Sequence, residues 1–465
     1  MEVFDIVFVD VPFIATDMNE SLAGEVALYR KESEAIANQI TKKSFREKPF
    51  HYSSGILCLS SYLKQKIPNI RVGYIHQELN IVELEKYAKK AKVVAFSTMT
   101  FSMPTILQLI SVVKAANPKA QVVLGGYHAT YFPKELLEEY AFIDCIILKE
   151  GEKALVQYMS GIAFDQIHGF AYRDAEGKVH VNYECDWLNA NDIPLPDYSL
   201  IKENIHLFNI SLSTMRGCIG KCRFCVNNDY WSYPRLISIE KIIDELKYLK
   251  STLEQGCVIH INDNVFTYQP DRINKLYSMM RDNGLTDYFI FECDTLANLV
   301  SKPIVRLLSK IGVRRICLGF EDCCDTVLRM SNKPVSFEQN LAAARMIKQE
   351  APEICVYAYW LIGLPGSTVG TMEYNLNVMY ELIVSRQIDI ISPKVFIPYP
   401  GSVFFKDYAE YGIKELDCDW SKYERRNPPY PYKYDSLSEK DIFCYLLASL
   451  RTCHKAYQYI RELGE

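Results

Sequence analysis

The sequence predicts an α/β fold in two successive parts. A parallel sheet covered by helices on both faces comes first, then an incomplete barrel of six βα units and a small helical C-terminal region. Three observations predict it. Short apolar runs alternate with helical stretches over residues 1–150, the pattern of a parallel sheet. A second alternating series begins near residue 208. Between them, Ile193-Pro194-Leu195-Pro196-Asp197 resists regular structure and reads as a domain linker.

In the first series the strands are Phe4 to Val9, Arg71 to Ile75, Val93 to Ser97, Val122 to Leu124 and Ile143 to Leu148. Gly55 to Leu63 reads as an amphipathic helix, and Pro104 to Ala116 as the helix before the Val122 strand. Residues 17–50 break the alternation. They are polar and charge-mixed, and read as an inserted helix or lid, with a solvated helix favoured. Gly169 to Tyr183 reads as a hairpin turning at Glu176-Gly177. The second series supplies Asn209 to Ser213, Val258 to Ile261, Tyr288 to Glu292, Arg315 to Gly319, Cys355 to Ile362 and Ile390 to Ile397. Beyond a Pro/Tyr-rich strip at Pro428 to Tyr434, a helix is predicted from Ser438 to Leu463, capped by Ser436 or Ser438.

Composition narrows the class. The chain has 465 residues, 49% hydrophobic and 23% charged, which is ordinary for a globular protein of two or three domains. A formal net charge of −5 gives no footprint for nucleic acid. No apolar run approaches a membrane span, and the N-terminus carries acids where a secretion signal would carry bases. Fifteen cysteines, an odd number unevenly spaced, argue against a disulfide framework. The expectation is a reducing cytoplasm.

The most informative residues are Cys218, Cys222 and Cys225, in Gly217-Cys218-Ile219-Gly220-Lys221-Cys222-Arg223-Phe224-Cys225. Three thiolates this close can converge on one inorganic centre. Four-cysteine ligation closes an iron–sulfur cluster, so three suggest one metal corner left open for chemistry. A zinc knuckle would want a second Cys or His pair nearby, and none follows. At these residues, with the aromatic Phe224 before the third cysteine, the chain resembles the radical S-adenosylmethionine (SAM) superfamily, in which this spacing holds a [4Fe–4S] cluster whose free iron binds SAM.

Four loops lie upstream at predicted strand ends, where ligands bind in such sheets. They are Val11-Pro12, Ser97-Thr98-Met99-Thr100, Gly125-Gly126-Tyr127-His128-Ala129-Thr130 and Glu150-Gly151-Glu152. In this order they resemble the cobalamin-binding domain carried by one class of radical SAM enzymes. The resemblance implies cobalamin near Pro12, Ser97, Thr98, Thr100, Gly125, Gly126, His128, Glu150 and Gly151. It lacks the Asp-x-His-x-x-Gly sequence of another cobalamin-binding family. It also implies a Rossmann-like cobalamin-binding domain over 1–185, a linker over 186–207, a partial (β/α)6 TIM-like radical SAM barrel over 208–415 and a helical region over 416–465.

Further matches follow the cluster loop. Asp263, in His260-Ile261-Asn262-Asp263-Asn264, resembles the family's acidic motif after the second strand; the other reading is an Asx turn. Gly319-Phe320-Glu321 ends the fourth strand, and the family commonly sets such a glutamate on SAM. Gly363-Leu364-Pro365-Gly366-Ser367-Thr368 resembles the family's Gly-Leu-Pro-Gly-Glu-Thr loop, with Ser367 in place of the acid. Pro398-Tyr399-Pro400-Gly401-Ser402 matches its Pro-Tyr-Pro-Gly-Thr turn. The implied SAM set is thus Phe224, Asp263, Gly319, Glu321, Gly363 and Gly366. Tyr357 and Tyr359 share one strand face and, with Tyr399, either line a substrate cavity or pack the core and rim. Cys323-Cys324 reads as structural.

The resemblance implies a methyltransferase acting on an unactivated carbon or a phosphinate, through a 5′-deoxyadenosyl radical and methylcobalamin. Its substrate would be a small molecule or peptide, and its electron donor of flavodoxin or ferredoxin type. Within the class, the rival is a non-methylating cyclisation or ring rearrangement. From a different class, the rival is a non-catalytic cobalamin- or cluster-binding sensor, which would make no 5′-deoxyadenosine.

Overall fold

A computed structural model of the chain describes residues 3–11, 20–43 and 48–462. Two compact units share the chain. The described parts of Met1–Ala15 and Lys48–Asn209 form the first, and those of Thr16–Glu47 and Ile210–Glu465 the second.

The first unit is built on β1 (Phe4–Asp10), whose residues Ile6 to Val9 are at most 2% exposed. A continuous apolar run, rather than an alternating one, is what a strand covered on both faces requires. After β1 comes α1 (Glu20–Thr41), which belongs to the second unit. Then follow α2 (Ser54–Lys66), β2 (Val72–His76), β3 (Ala91–Ser97), α3 (Met103–Ala116), β4 (Gln121–Gly125), β5 (Cys145–Ile147), α4 (Glu152–Met159), β6 (Phe170–Arg173) and β7 (Val179–Asn182). The sheet order is β2-β1-β3-β4-β5-β6-β7, parallel as far as β5, with β6 and β7 antiparallel as the predicted hairpin. Strand order reverses at β1, between β2 and β3, so a crevice opens at the carboxyl ends there.

Residues 186–207, expected as a linker, instead pack into this unit. Leu188, Ile193, Tyr198, Ile201 and Ile205 are buried. The Leu188 N–H donates to Glu150 at 2.7 Å, and Asp197 accepts from Ser60 Oγ and Lys64 Nζ, each at 2.6 Å. Proline removes a backbone donor and so disfavours ladder pairing away from a sheet edge; it does not forbid burial.

The second unit runs β8 (Ile210–Leu212), α5 (Ile239–Thr252), β9 (Val258–Ile261), α6 (Pro270–Asp282), β10 (Ile290–Thr295), α7 (Lys302–Ile311), β11 (Val313–Glu321), α8 (Phe337–Glu350), β12 (Cys355–Ile362), α9 (Val369–Val384), β13 (Ile390–Val395) and α10 (Glu439–Glu462). The six strands are parallel in the order β13-β12-β11-β10-β9-β8. Burial alternates along β12. Val356, Ala358 and Trp360 face the helices, while Tyr357 and Tyr359 face the lumen. Side-chain caps start the helices: Ser336 opens α8 and Thr368 opens α9, each with a capping box. Ser438, not Ser436, caps α10, accepting from the Asp441 N–H at 3.1 Å.

The solvated helix expected within 17–50 is a packed one. α1 buries Leu22, Tyr29, Glu32, Ala37 and Thr41 and lies against α10 and the last two barrel strands. All fifteen cysteines carry free thiols. Among the described residues, no helix is long and apolar enough to cross a membrane.

Candidate active site

The cysteine loop leaves β8 through Met215–Arg216, which pairs with Arg235–Leu236. Gly217 turns the chain at φ 91°, where a Cβ would lie 2.8 Å from the Tyr233 carbonyl, so only glycine fits. Polar side chains brace the loop from several sides. Asn264, at the end of β9, accepts from Asn227 at 2.8 Å and donates to the Gly217 carbonyl at 3.3 Å. Asn228 donates to the Cys222 carbonyl at 2.6 Å, and Asn332 to that of Lys221 at 2.8 Å. Burial pushes all three thiols up, Cys222 to about 12, against the opposing pull of Lys333. Three such thiols, close enough to perturb one another, suit a metal centre whose positive charge replaces the lost water.

Glu321 faces them. It ends β11 at φ 64°, a left-handed conformation uncommon for a non-glycine residue. Its Oε1 lies 2.8 Å from Lys333 Nζ, with the two side chains only 9% and 5% exposed. Burial pulls the Lys333 ammonium down, but Glu321 and the cysteines together hold it above its ordinary range. The same ammonium sits 5.9 Å from the Phe224 ring centre. Gly319 explains itself here, because a Cβ on it would strike both Glu321 Oε1 and Lys333 Nζ. Lys333 escaped the sequence reading: it lies in a loop with no spacing to mark it.

Other predicted SAM residues turn inward. Asp263 is 2% exposed and accepts from the N–H groups of Thr214 at 2.7 Å and Met215 at 3.0 Å, and from the Thr214 hydroxyl. Burial pushes its carboxyl up to about 6. It therefore anchors the strand entering the cysteine loop, with both oxygens already accepting hydrogen bonds from that strand. Gly363 and Gly366 take φ 81° and 89°; a Cβ would meet Tyr432 Oη at 3.3 Å and Met330 Sδ at 3.0 Å respectively. Their loop thus packs against Met330, whose carbonyl accepts from Arg223 at 2.7 Å. Cys323 and Cys324 have a neighbour the sequence reading overlooked: the ligating atoms of Asp322 and both thiols lie within 4.8 Å of one another. Asp322 Oδ1 is already held by the Cys324 N–H and by Asn375, which also accepts from Trp360.

The lumen is polar. Glu292 meets Arg315 at 2.7 Å and His260 at 3.3 Å. Burial pulls His260 down, but the Glu292 carboxylate overrides it and the imidazole ends raised. Tyr357 and Tyr359 meet edge-on at 5.3 Å, and Tyr359 donates to Asp294 at 3.2 Å. Tyr399 donates to the Tyr423 carbonyl at 3.0 Å.

In the first unit the predicted cobalamin residues divide by exposure. Ser97, Gly125, Gly126 and Gly151 are half-buried at the strand ends, whereas Thr98, Thr100, His128 and Glu150 are buried beneath them. Pro12 lies outside the described residues. Thr98 clasps its loop, donating from its hydroxyl to the Gly125 carbonyl at 2.8 Å and accepting the Ala129 N–H at 3.0 Å. Gly126 takes φ 92°, with a Cβ position 2.7 Å from the Thr98 carbonyl, so the clasp itself demands glycine. His128 is fully buried, its Nδ1 3.3 Å from Thr100 Oγ1, and burial holds its imidazole down to about 3. Asp10, which the sequence reading missed, ends β1 and accepts from Ser53 N–H and Oγ and from Tyr74 Oη at 2.6–2.9 Å. Ser97 and the three glycines leave backbone accessible at the strand ends, which fits close approach of a broad, flat ligand.

Comparison with known proteins covers both units. A model of the B12 binding domain matches residues 48–158, and one of the Radical SAM superfamily matches residues 212–375. The anaerobic magnesium-protoporphyrin IX monomethyl ester cyclase of Cereibacter sphaeroides is 25% identical over 76% of this chain and 60% of its own length. The chain thus spans about three fifths of that relative. Cytidylyl-2-hydroxyethylphosphonate methyltransferase of Streptomyces wedmorensis is 25% identical over 68% of this chain and 66% of its own. Among solved structures, the cobalamin-dependent S-adenosylmethionine radical enzyme OxsB, with aqua-cobalamin and S-adenosylmethionine bound, superposes with a TM-score of 0.71. It is 16% identical, and the match covers 96% of this chain and 66% of OxsB.

Proposed function

We propose, for a chain that belongs to the radical SAM enzymes carrying a B12-binding domain, a cobalamin-dependent methyltransferase acting on an unactivated carbon or a phosphinate of a small molecule or peptide. The observation that carries the reading is the meeting of three loop thiols with the buried Lys333–Glu321 pair in a barrel of six parallel strands. When bound, the cluster and SAM supply a 5′-deoxyadenosyl radical, and methylcobalamin a transferable methyl group.

The chain's own residues then have separable tasks. Cys218, Cys222 and Cys225 hold the cluster, and the Lys333 ammonium offsets the thiolate charge that burial disfavours. Glu321 has one oxygen on Lys333 and the other available to accept from a ribose hydroxyl or an ammonium group. Asn227, Asn228 and Asn264 fix the loop against the β9 end, so that little reorganisation is left for the reaction. The strand-end surface of Ser97, Gly125, Gly126 and Gly151 carries the corrin. A flavodoxin- or ferredoxin-type donor supplies the electron. Resemblance to the cyclase favours a second reading, radical ring closure without methyl transfer.

The test is anaerobic reconstitution followed by reduction with SAM. We expect about four irons per chain and 5′-deoxyadenosine as product, both lost when the three cysteines become alanine. Persistence of SAM cleavage in that variant would remove the reading. With methyl-labelled SAM, label in the product supports transfer; substrate consumed without label supports ring closure.

A further inference from the structure

Most charged groups of the barrel lumen are paired, as Arg315 and His260 are with Glu292, and Lys333 with Glu321. Two cations at the mouth are not. Lys394 projects from β13 on the same face as Ser392 and lies 5.4 Å from the Tyr359 ring centre. Arg425, on the segment that follows the barrel, stacks 5.0 Å from the Tyr399 ring centre and donates from Nε to Tyr399 Oη at 3.1 Å. Both are exposed. Among the described residues, neither forms an ion pair with a carboxylate.

The two cations also feel each other. Crowding by the barrel wall and the charge of Arg425 both hold the Lys394 ammonium below the usual lysine range, while Asp294 and Glu321 act on it more weakly from within the lumen. Arranging two like charges together over tyrosine rings is unfavourable until an anion joins them. The rings hold both heads by cation–π contact without consuming their hydrogen-bond donors. Arg425 gives only its Nε to Tyr399, which leaves the rest of the fork for a planar or tetrahedral oxyanion.

We propose that Lys394 and Arg425, seated on Tyr359 and Tyr399, form an oxyanion subsite that takes a carboxylate or phosph(on)ate group of the substrate. The assignment rests on the radical SAM reading, since it places the substrate in that lumen. It also gives the tyrosines a definite task, as platforms for the cations that bind substrate.

The experiment uses the anaerobically reconstituted full chain with SAM, and methylphosphonate as the probe, followed by ³¹P line broadening at low ionic strength. Wild type should broaden the resonance. Lys394→Met and Arg425→Met should each weaken binding at least about tenfold, the loss of one charge-assisted contact, while Lys394→Arg retains it. Lys275→Met, which removes an exposed partner of Glu240 on α6, should bind as wild type and shows that the loss is not general charge attraction. Reversal of the broadening by succinate extends the subsite to carboxylates; resistance to succinate assigns it to phosph(on)ates. Broadening unchanged in both methionine variants would overturn the inference. So would Lys394→Met losing SAM affinity while keeping methylphosphonate, which would hand that lysine to the cosubstrate. SAM cleavage by wild type is measured on the same sample. Cleavage without probe binding sinks the subsite alone, and probe binding without cleavage sinks the reading it rests on.

Discussion

His128 shows how much one side chain's burial decides. The sequence places it in a cofactor loop beside two glycines, where an imidazole could ligate cobalt. The structure puts it beneath that loop, packed on Phe132 at 5.1 Å and fully buried. Cobalamin bound in this unit would therefore take no nitrogen from His128. Electron paramagnetic resonance of the cob(II)alamin form should then show no nitrogen splitting that disappears in His128→Ala. Burial also sets a pH dependence. With the folded imidazole at about 3 and the unfolded one near 6.5, the unfolded chain binds the extra proton between those values. Stability is therefore full above about pH 6.5 and falls as acid is added, by about 2 kcal/mol at pH 5. Urea melts should show that loss in wild type and a flatter slope in His128→Gln; equal slopes would refute it. The same scale explains uneven legibility. Glu321 was readable because it ends a strand in Gly-Phe-Glu, whereas its partner Lys333 was not, since an ion pair across a fold leaves no spacing in the chain.

At the scale of elements, an incomplete barrel has an edge to protect. β13 is the last strand of its sheet, and two helices far apart in sequence cover it. Tyr29 of α1 donates from its hydroxyl to the Ile391 carbonyl at 2.7 Å, and the Ile391 N–H donates to Tyr457 Oη of α10 at 3.2 Å. The helices are joined by Arg461 to Glu32 at 3.0 Å and Arg451 to Glu25 at 2.7 Å. Tyr29→Phe leaves a buried carbonyl without its partner and should cost about 1–3 kcal/mol. Tyr457→Phe should cost a similar amount. Because both serve one residue, the double variant should depart from additivity, and strict additivity in denaturant melts would show that the two hydroxyls act independently. The first strand was legible because its run is nearly continuous and apolar, and those of the second sheet because they alternate with helical stretches. α1 was not: its buried stripe is spread among many charged residues, and one of its buried positions is itself a glutamate.

For the molecule as a whole, two units with separate cores imply two cooperative melts rather than one. Cluster occupancy should raise the transition of the second unit, because a ligand bound only to the folded form stabilises it, by about 2.7 kcal/mol at a hundredfold excess over Kd. Cobalamin should act on the first. Calorimetry of reconstituted protein with and without each cofactor checks this; a single transition moved equally by either would mean that the units unfold together. The alternation revealed both units, yet the boundaries shifted. The proline segment read as a joint is interior to the first unit, and α1 is lent to the second.

That loan has a consequence for synthesis on the ribosome. The first unit can assemble as soon as residue 209 has emerged, but α1 is made long before its partner helix: Glu32 and Arg461 stand 429 positions apart. At roughly 5–20 residues per second of translation, α1 waits on the order of 20–90 s before its docking face exists. Throughout that interval the nascent chain carries a helix whose apolar stripe has nowhere to go. The barrel can close its last edge only once α10 has emerged, so α1 precedes every barrel strand in synthesis yet docks after all of them.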